Sequence, residues 1–439
     1  MSNQKAENEE PIKLTDWIEN EVIPFSIDST ASFNAAVAKM VAAMGDAIDI
    51  LGLGEALHGG EDILILRNRL FQCLAETHGY TAIAIESSYP QARLVNEFVT
   101  GGGLISSEAL QEVGFSHGFG RLTANRELVG WMRDYNAGPS HAIQLHFYGF
   151  DSPTEMMFAD SPRQILHFVL DYLTSLDSAS GQEHRQRIEA LIGQDSDWEN
   201  PAVAMDPSRG VGRSPNATAL RVAVVDLITE LHIHRPEFSA KSGAERYLEA
   251  MHYAAMARQL LTYHSVLAGT SKNRMIELLG MRDALMADNL AYIVSRERSR
   301  GKVLAFAHNS HLQRGRAQWQ LGPDLLTWWP AGAHLNEIFG AGYAVIGTGV
   351  GVSEANGIGR PGDGTLEACL AAVPGPVRFI PTHRGQGLPV AEIAALPPRS
   401  RSTKNTTYFP LTPQSLTDFD WLAVLDSTDY SRGGPLLAG

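Results

Sequence analysis

Short apolar runs alternate with long amphipathic stretches along most of this chain, and that alternation limits the folds open to it more than any other feature. Parallel strands need long crossover connections, which are usually helices, so the pattern is typical of an α/β fold. We therefore predict a mostly parallel central sheet flanked by helices. The predicted strands are 48–53, 81–85, 142–150, 303–307, 343–347, 377–380 and 421–425.

The segment between Pro153 and Ile276 has a different pattern, because helical periodicity recurs there without a convincing strand. Helices are predicted over 165–173, 220–232 and 247–267. At 439 residues the chain exceeds the usual size of one compact domain. We predict an α/β body formed by 1–153 and 276–439, and a helical subdomain over 154–275 that shapes a substrate cleft.

The formal net charge of −14 restricts the partners of the chain. Nucleic acid and anionic membranes would be repelled, so the expected partner is a neutral or cationic small molecule. Glu7, Glu9 and Glu10 stand where a signal peptide has a basic and then an apolar segment, and no apolar run is long enough to span a bilayer. A cytoplasmic location is therefore expected. Cys73 and Cys369 lie in apolar patterns and are predicted to be buried thiols, not a disulfide.

Polar side chains follow four of the predicted strands at the points where these strands end. The carboxyl ends of parallel strands meet at one edge of a sheet, where ligands bind in open α/β folds. One acidic or histidine side chain at a strand end has a plain structural explanation, but four strand ends in agreement favour a shared site. The side chains brought to that edge are Glu55 and His58, then Glu86, then Asp151, and finally His308, Asn309 and His311.

Two arginines are each centred on the apolar stripe of a predicted helix. Arg67 and Arg282 both have apolar residues at their four neighbouring helical positions. Because burying an unpaired guanidinium is costly, we predict that a carboxylate such as Glu55 or Glu86 pairs with Arg67. For Arg282 a structural ion pair is the favoured interpretation.

Histidine and carboxylate side chains together suit general base catalysis, because a carboxylate fixes the imidazole tautomer and raises its basicity. His58 is the best candidate for the base, since it follows a strand in a glycine-flanked turn where the backbone can approach a ligand closely. His308 and His311 would polarise a carbonyl or protonate a leaving alcohol, and an arginine would stabilise the tetrahedral oxyanion. The predicted nucleophile is water.

A serine nucleophile is one alternative, because 114–118 spells Gly-Phe-Ser-His-Gly and matches the G-x-S-x-G pattern. That pattern requires a strand before the serine, whereas 106–113 is predicted to be helical or irregular. We therefore interpret Ser116 as a chance match. A dinucleotide site at 347–351 is also disfavoured, since Val352 stands where the third glycine belongs.

A catalytic metal is another alternative, since His58, His308, His311 and the acidic residues are ligand types for zinc or iron. Two histidines three residues apart do not form an H-E-x-x-H motif and need not face one ion. We therefore favour a site that needs no metal or other cofactor. A non-catalytic protein that holds haem or metal through these histidines is a further possibility, because related α/β folds host unrelated functions.

Several blocks in the chain resemble the erythromycin esterase family. Gly-Glu-Ala-Leu-His-Gly at 54–59, with Arg67 downstream and Glu86 at a strand end, resembles the family's G-E-x-x-H-G signature. Further blocks that resemble the family follow in family order, and several ordered blocks are more specific than one motif. They are Tyr-Gly-Phe-Asp at 148–151, Arg-Asp at 282–283 with Met-Ala at 286–287, Ala-His-Asn-Ser-His at 307–311, Tyr-Ala-Val-Ile-Gly-Thr at 343–348 and the final block from Phe-Asp at 419–420 to Asp-Ser at 426–427.

The resemblance implies hydrolysis of the macrolactone ester of macrolides such as erythromycin, without a covalent intermediate, and antibiotic resistance as the cellular consequence. By that similarity His58 is the base that activates water. A metal-dependent hydrolase of another ester is the alternative hypothesis. The other catalytic candidates are Glu55, Glu86, Arg67, His308 and His311, and the candidates for substrate contact are Asn309, Asp151 and Arg282.

Overall fold

The computed structural model describes residues 13–103, 105–155 and 158–435, so that Glu7, Glu9 and Glu10 lie outside the described residues. In chain order the strands are β1 (Ile23–Phe25), β2 (Ile50–Glu55), β3 (Tyr80–Ser88), β4 (His146–Asp151), β5 (Thr154–Glu155), β6 (Phe158–Ala159), β7 (Lys302–His308), β8 (Ala317–Leu321), β9 (Asp324–Trp328), β10 (Tyr343–Val352), β11 (Val377–Pro381) and β12 (Trp421–Ser427). The helices are α1 (Leu14–Glu21), α2 (Thr30–Met44), α3 (Glu61–Thr77), α4 (Tyr89–Val99), α5 (Ser107–Val113), α6 (Thr123–Ala137), α7 (Arg163–Leu176), α8 (Ser178–Ile192), α9 (Asp195–Trp198), α10 (Pro215–Ile233), α11 (Arg235–Ser242), α12 (Ala244–Leu267), α13 (Arg274–Glu297), α14 (Asn309–Leu312), α15 (Ala331–Phe339), α16 (Leu366–Ala371), α17 (Val390–Ala394) and α18 (Ser415–Asp418).

Within the described residues, eight strands form one sheet in the order β1-β11-β12-β10-β2-β7-β3-β4. The six strands from β12 to β4 run parallel, whereas β11 lies antiparallel to both β12 and β1. The predicted mostly parallel sheet is therefore confirmed, and all seven predicted strands contribute to it. The sequence does not predict β1, because three residues are too few to show a periodic pattern.

Both faces of the sheet are covered by apolar side chains, which alternate along the central strands. In β3, Ile83 and Ile85 belong to one apolar cluster, whereas Ala82 and Ala84 belong to the other. The first cluster contains side chains of α2, α3 and α6, and the second contains side chains of α7, α10 and α12. Because helices close both faces, polar side chains reach a ligand at the carboxyl ends of the strands.

Helices α7 to α12 follow β6 and precede α13, and the three predicted helices of this region lie within α7, α10 and α12. Their buried side chains, such as Leu166, Leu220 and Leu260, join the cluster that covers one face of the sheet. The boundaries of a helical subdomain over 154–275 stay a prediction. Among the described helices, none is both long enough and apolar enough to cross a membrane.

An antiparallel hairpin of β8 and β9 was not predicted from the sequence. Its turn has Gly322 at a φ of +59°, a conformation that favours glycine, and its mixed polar and apolar residues give no clear strand pattern. The hairpin matters for the site because it ends at Trp328, which is buried. Cys73 is buried as predicted, Cys369 is only half-buried, and both are free thiols.

Candidate active site

Four strand ends bring polar side chains to one edge of the sheet. The register of β2 and β7 places Glu55 opposite His308, and the neighbouring β3 carries Glu86 near its own end. Position 54, near the end of β2, requires glycine, because a Cβ there would lie 2.2 Å from the side-chain oxygen of Asn309. This close approach brings the segment after β7 against the end of β2.

His58 lies three residues beyond the end of β2, with one ring nitrogen fixed and the other unengaged. Its Nδ1 lies 2.5 Å from Oε1 of Glu55, and its backbone N–H donates to Oγ1 of Thr407 at 3.0 Å. No polar atom of the described residues hydrogen-bonds to Nε2, and 32% of the side chain is exposed. Burial lowers the pKa of His58, but the negative charges of Glu55 and Glu86 outweigh burial and raise that pKa above its ordinary value. The ring is therefore a strengthened base with one nitrogen free to act.

Glu86 of β3 is buried and accepts hydrogen bonds at both of its oxygens. Nη2 of Arg282 donates to Oε1 at 3.0 Å, and the backbone N–H of His308 donates to Oε2 at 2.8 Å. Burial alone would raise the pKa of Glu86, but neighbouring cations, with His311 first among them, hold it well below its ordinary value. Glu86 is therefore an ionised carboxylate at neutral pH, and one of its oxygens lies within 4.8 Å of a ring nitrogen of His58.

The guanidinium of Arg282, on α13, joins two buried carboxylates. Its Nε and Nη2 donate to Asp151 at 3.0 and 2.6 Å, and Nη2 also donates to Glu86. Burial would raise the pKa of Asp151, but Arg282 holds it below its ordinary value. The predicted structural pairing of Arg282 is confirmed. Because Asp151 is fully buried and carboxylates engage both Nε and Nη2 of Arg282, we assign both residues a positioning role in place of the predicted substrate contact.

His311 is held between two carboxylates. Its Nδ1 lies 2.7 Å from Oδ1 of Asp283, and its Nε2 lies 3.4 Å from Oε1 of Glu86. Burial lowers the pKa of His311, but Asp283 and Glu86 raise it to about 10. The ring is therefore an imidazolium at neutral pH whose two N–H groups are engaged. Nε1 of Trp328 donates to Asp283 at 2.5 Å, so the unpredicted hairpin of β8 and β9 helps to hold the carboxylate that pairs with His311.

His308, at the end of β7, is a neutral ring with both nitrogens bonded. Its Nε2 donates to the carbonyl of Thr407 at 2.8 Å, so its Nδ1 is left to accept from the hydroxyl of Ser310 at 2.7 Å. Burial and the neighbouring His58 lower the pKa of His308 to about 3. Polarising a carbonyl or protonating an alcohol needs a free N–H, which neither His308 nor His311 offers. We therefore assign both histidines a positioning role.

Arg67, on α3, is 1% exposed and makes no ion pair with any carboxylate of the described residues. Its Nε and Nη2 both donate to Oδ1 of Asn68, at 3.0 and 2.7 Å, and its Cζ lies 4.8 Å from the ring centre of Phe306. The predicted ion pair with Glu55 or Glu86 is therefore wrong. Burial lowers the pKa of Arg67 to about 10, so the group stays charged at neutral pH.

A small cavity is lined by Glu55, Arg67 and Glu86, and Phe306 adds an apolar residue to the lining. Its volume is about 10 Å³, which is the room that about one water needs. Asn125 also lines the cavity, and its buried Oδ1 has no hydrogen-bond partner among the described residues. The cavity therefore suits a small polar group placed beside a cation and two carboxylates.

Asn309 follows His308 and is fully buried. Its Nδ2 donates to the carbonyl of Thr348 at 2.8 Å, and the backbone N–H of Thr348 donates to its Oδ1 at 3.1 Å. This pair of bonds ties the segment after β7 to β10. We therefore assign Asn309 a structural role in place of the predicted substrate contact.

The segment around Ser116 contributes a histidine that the sequence analysis missed. Helix α5 precedes Ser116, which confirms that this serine does not follow a strand. His117, at a φ of +58°, places its Nε2 3.0 Å from Oδ2 of Asp151. The ring centre of Phe119 lies 5.4 Å from that of His117 and 5.7 Å from that of His58. The G-x-S-x-G match pointed to this segment in the sequence, but the residue that contacts the site is His117 and not Ser116.

Glu55, His58 and Glu86 offer donor atoms that all lie within 4.8 Å of one another, a spacing that a metal ion could use. However, Nδ1 of His58 is engaged with Glu55, and both oxygens of Glu86 already accept N–H groups. Arg282 also pairs with Glu86, and the charge of Arg67 interacts with that of Glu55. A divalent cation would have to displace those donors against two positive charges, so the donor set fits proton transfer better than metal binding.

Comparison with known sequences gives a family match over most of the chain. The family described as erythromycin esterase matches residues 75–428. A curated relative, the erythromycin esterase type II of Escherichia coli, is 22% identical over 353 residues, which cover 76% of this chain and 77% of the relative. Glu86, His308 and His311 fall within the family match, and Glu55, His58 and Arg67 precede it.

Solved structures share the fold across nearly the whole chain. A Bacillus cereus protein has a TM-score of 0.73 at 18% identity, with 96% of this chain and 98% of that chain covered. A succinoglycan biosynthesis protein has a TM-score of 0.71 at 19% identity, with 99% and 100% covered. A mutant of the erythromycin esterase EreC in its open conformation has a TM-score of 0.65 at 17% identity, with 93% and 96% covered. At these identities the likeness shows a common fold.

Proposed function

The chain belongs to the erythromycin esterase family, and on that premise we propose that it opens the ester bond of a macrolactone with a water activated by His58 and without a covalent intermediate. Family membership makes the chain a carboxylic ester hydrolase and argues against the non-catalytic haem-binding alternative. Macrolides of the erythromycin type are the proposed substrates, and resistance to them is the proposed cellular consequence. Erythromycin carries a basic amino sugar, which a chain with a net charge of −14 would attract.

The state of the His58 ring carries this proposal. Of the three histidines predicted for the site, His308 and His311 use both ring nitrogens within the protein, whereas Nε2 of His58 has no partner among the described residues. The bond from Nδ1 to Glu55 fixes the tautomer that leaves a lone pair on Nε2. A partly exposed imidazole with a raised pKa and a fixed tautomer has the properties of a general base.

The proposed reaction needs one water between His58 and the ester carbonyl. Nε2 accepts a proton from the water while the water oxygen bonds to the carbonyl carbon, and the carbonyl oxygen becomes a tetrahedral oxyanion. When this species collapses, the bond from the carbonyl carbon to the ring oxygen breaks, and Nε2 returns the proton to the leaving alkoxide. The product is an opened chain with one acid and one alcohol, heavier than the substrate by one water.

Arg67 is the proposed stabiliser of the oxyanion, because among the described residues no acceptor is bonded to its Nη1. We expect Arg67→Ala to lower kcat/KM by about 100-fold, the usual effect of removing one oxyanion donor. The free energy of unfolding should fall by about 1–3 kcal/mol, because Oδ1 of Asn68 loses both donors. Steady-state kinetics and urea unfolding measure the two effects. Arg69→Ala, on the same helix, is the control, and an Arg67→Ala enzyme with parental kcat/KM would exclude the oxyanion role.

Glu55 should set the pH at which the enzyme loses activity in acid. The base acts when neutral, so activity is present above the pKa of His58 and is lost as the pH falls through it. Glu55→Gln removes the charge that raises this pKa. The acid limb of the kcat/KM profile should therefore move to lower pH, and the plateau should fall because the imidazole is a weaker base. Glu76→Gln, an exposed change on α3 with the same loss of charge, should leave the profile in place, and an unmoved acid limb in Glu55→Gln would contradict the pairing.

The substrate class is tested by incubating the purified protein with erythromycin and a panel of other macrolides and then weighing the products by mass spectrometry. The proposal predicts at least one product heavier by one water. If the panel yields no such product while the same protein cleaves a simple aryl ester, the assignment as an esterase stands and the proposal of a macrolide substrate is wrong.

A metal-dependent hydrolase of another ester is the second candidate, favoured by the spacing of the donor atoms of Glu55, His58 and Glu86. The proposed mechanism expects the rate to survive dialysis against a chelator, because proton transfer at His58 needs no ion. Activity that vanishes with the chelator and returns with one metal would establish the second candidate instead.

A further inference from the structure

A second cavity, of about 280 Å³, lies between the loop 357–365 and the segment 398–402. Its volume is close to the lower end of the range for small-molecule sites. Much of its wall is glycine backbone and short polar side chains, and none of its lining residues lines the cavity beside Glu55, Arg67 and Glu86. Three arginines supply its charge, and they are Arg360, Arg399 and Arg401.

Arg360 and Arg401 are exposed cations that the fold does not neutralise. Within the part of the chain that the structure describes, neither forms an ion pair with a carboxylate. Asp363 belongs to the same loop, but it is not part of the cavity lining. The chain has 49 acidic and only 35 basic lysine and arginine residues, so three arginines around one concavity reverse the charge of the molecule locally.

Arg399 gives the cavity a fixed cationic wall. It is 8% exposed, and its Nη groups donate to the carbonyls of Val350, Gly351 and Gly359. Carbonyl groups satisfy its N–H donors without cancelling its charge. The carboxyl of Glu367 interacts with that charge, yet burial raises the pKa of Glu367 on balance. A positive charge held in a rigid position attracts anions.

The two loops are tied together, so the cavity exists before any ligand binds. Oγ of Ser402 donates to the carbonyl of Asn356 at 2.7 Å, and Nδ2 of Asn405 donates to Oδ1 of Asn356 at 2.9 Å. Nδ2 of Asn405 also donates to the carbonyl of His58 at 3.0 Å, so the same segment continues into the active site. A preformed site spends less of its binding energy on ordering loops.

We propose that this cavity is a binding site for a small molecule that carries phosphate. Arginine guanidinium groups bind phosphate oxygens with two parallel N–H bonds, and glycine-rich backbone can approach them closely. The hydroxyl of Ser400, which has no hydrogen-bond partner among the described residues, supplies a further donor in the lining. The site is separate from ester hydrolysis and does not depend on the proposed substrate.

Calorimetric titration of the full chain with inorganic pyrophosphate tests the proposal. We expect saturable binding with one site per chain, and at least 10-fold weaker binding in the Arg360→Gln/Arg401→Gln double variant. The Arg246→Gln/Arg298→Gln variant is the matched control, since it removes the same charge from exposed arginines of the helical region and of the end of α13 and should bind as the parent does. The His58→Ala variant should also bind as the parent does, which places the ligand outside the active site.

Two results would overturn the proposal. One is a heat signal that sodium chloride of equal ionic strength reproduces, since that signal reports screening and not a site. The other is citrate binding more tightly than pyrophosphate, which would make the site one for carboxylates. The single variants Arg360→Gln and Arg401→Gln, checked by circular dichroism, keep the test valid if the double variant is poorly folded.

Discussion

Replacing His58 with alanine is expected to lower kcat/KM for the ester by about 1,000-fold, the scale of loss found when a general base is removed. The alanine variant loses the lone pair of Nε2, and neither His308 nor His311 has an unengaged nitrogen to replace it. The free energy of unfolding should fall by about 1–3 kcal/mol, because the buried carboxylate of Glu55 loses its hydrogen bond to Nδ1. Steady-state kinetics and urea unfolding of the same preparation separate the two quantities.

His232→Ala is the matched control, since His232 is an exposed histidine on α10 and its removal should leave kcat/KM within a factor of two. A His58→Ala enzyme that keeps more than one-tenth of the parental kcat/KM would show that another group activates the water. A fall in stability well beyond that range would show instead that the ring of His58 supports the fold through its contacts with Phe119 and His308.

Arg282→Ala should be the most destabilising single substitution in the site. It would leave Asp151 and Glu86 buried without their shared cation, and breaking a buried ion pair by removing one partner costs about 3–5 kcal/mol. Activity should fall with stability, because Glu86 helps to set the pKa of His58. Urea unfolding measures the change in stability. The change in activity is measured as kcat/KM at a temperature where both proteins are folded.

Arg187→Ala is the control for this substitution, because Arg187 pairs with Asp226 at 2.6 Å while both side chains are about half exposed. Exposed pairs contribute at most about 1 kcal/mol, so the control should unfold close to the parent. Arg282→Lys keeps the charge but loses the paired N–H geometry, and it should fall between the parent and Arg282→Ala. An Arg282→Ala protein as stable as the parent would contradict the buried network.

The sequence predicts the sheet because the central strands appear in it as nearly continuous apolar runs. Such runs are typical of parallel strands that are buried on both faces. β2 and β7 are of this kind, and both appear within a few residues of their predicted bounds. The hairpin of β8 and β9 has exposed residues such as Leu325, and its stability depends on contacts that no local pattern records. Trp328 and its bond to Asp283 could therefore not be predicted.

The sequence predicts which residues form the candidate site better than it predicts the hydrogen bonds between them. A general rule for parallel sheets brings Glu55, Glu86 and His308 to one edge. That rule says nothing about competition between acceptors, and for Arg67 the neighbouring amide of Asn68 takes the place expected for a carboxylate. The tautomer of His308 depends on Thr407, which lies 99 residues away in the chain.

A single turnover of erythromycin in heavy-oxygen water, followed by mass spectrometry of product and protein together, tests most directly whether water attacks the ester itself. The proposed mechanism predicts that the new carboxylate carries one heavy oxygen and that the protein mass stays unchanged at every time point. A transient protein species heavier by the acyl group, or a product without the heavy oxygen, would contradict direct attack by a water that His58 activates.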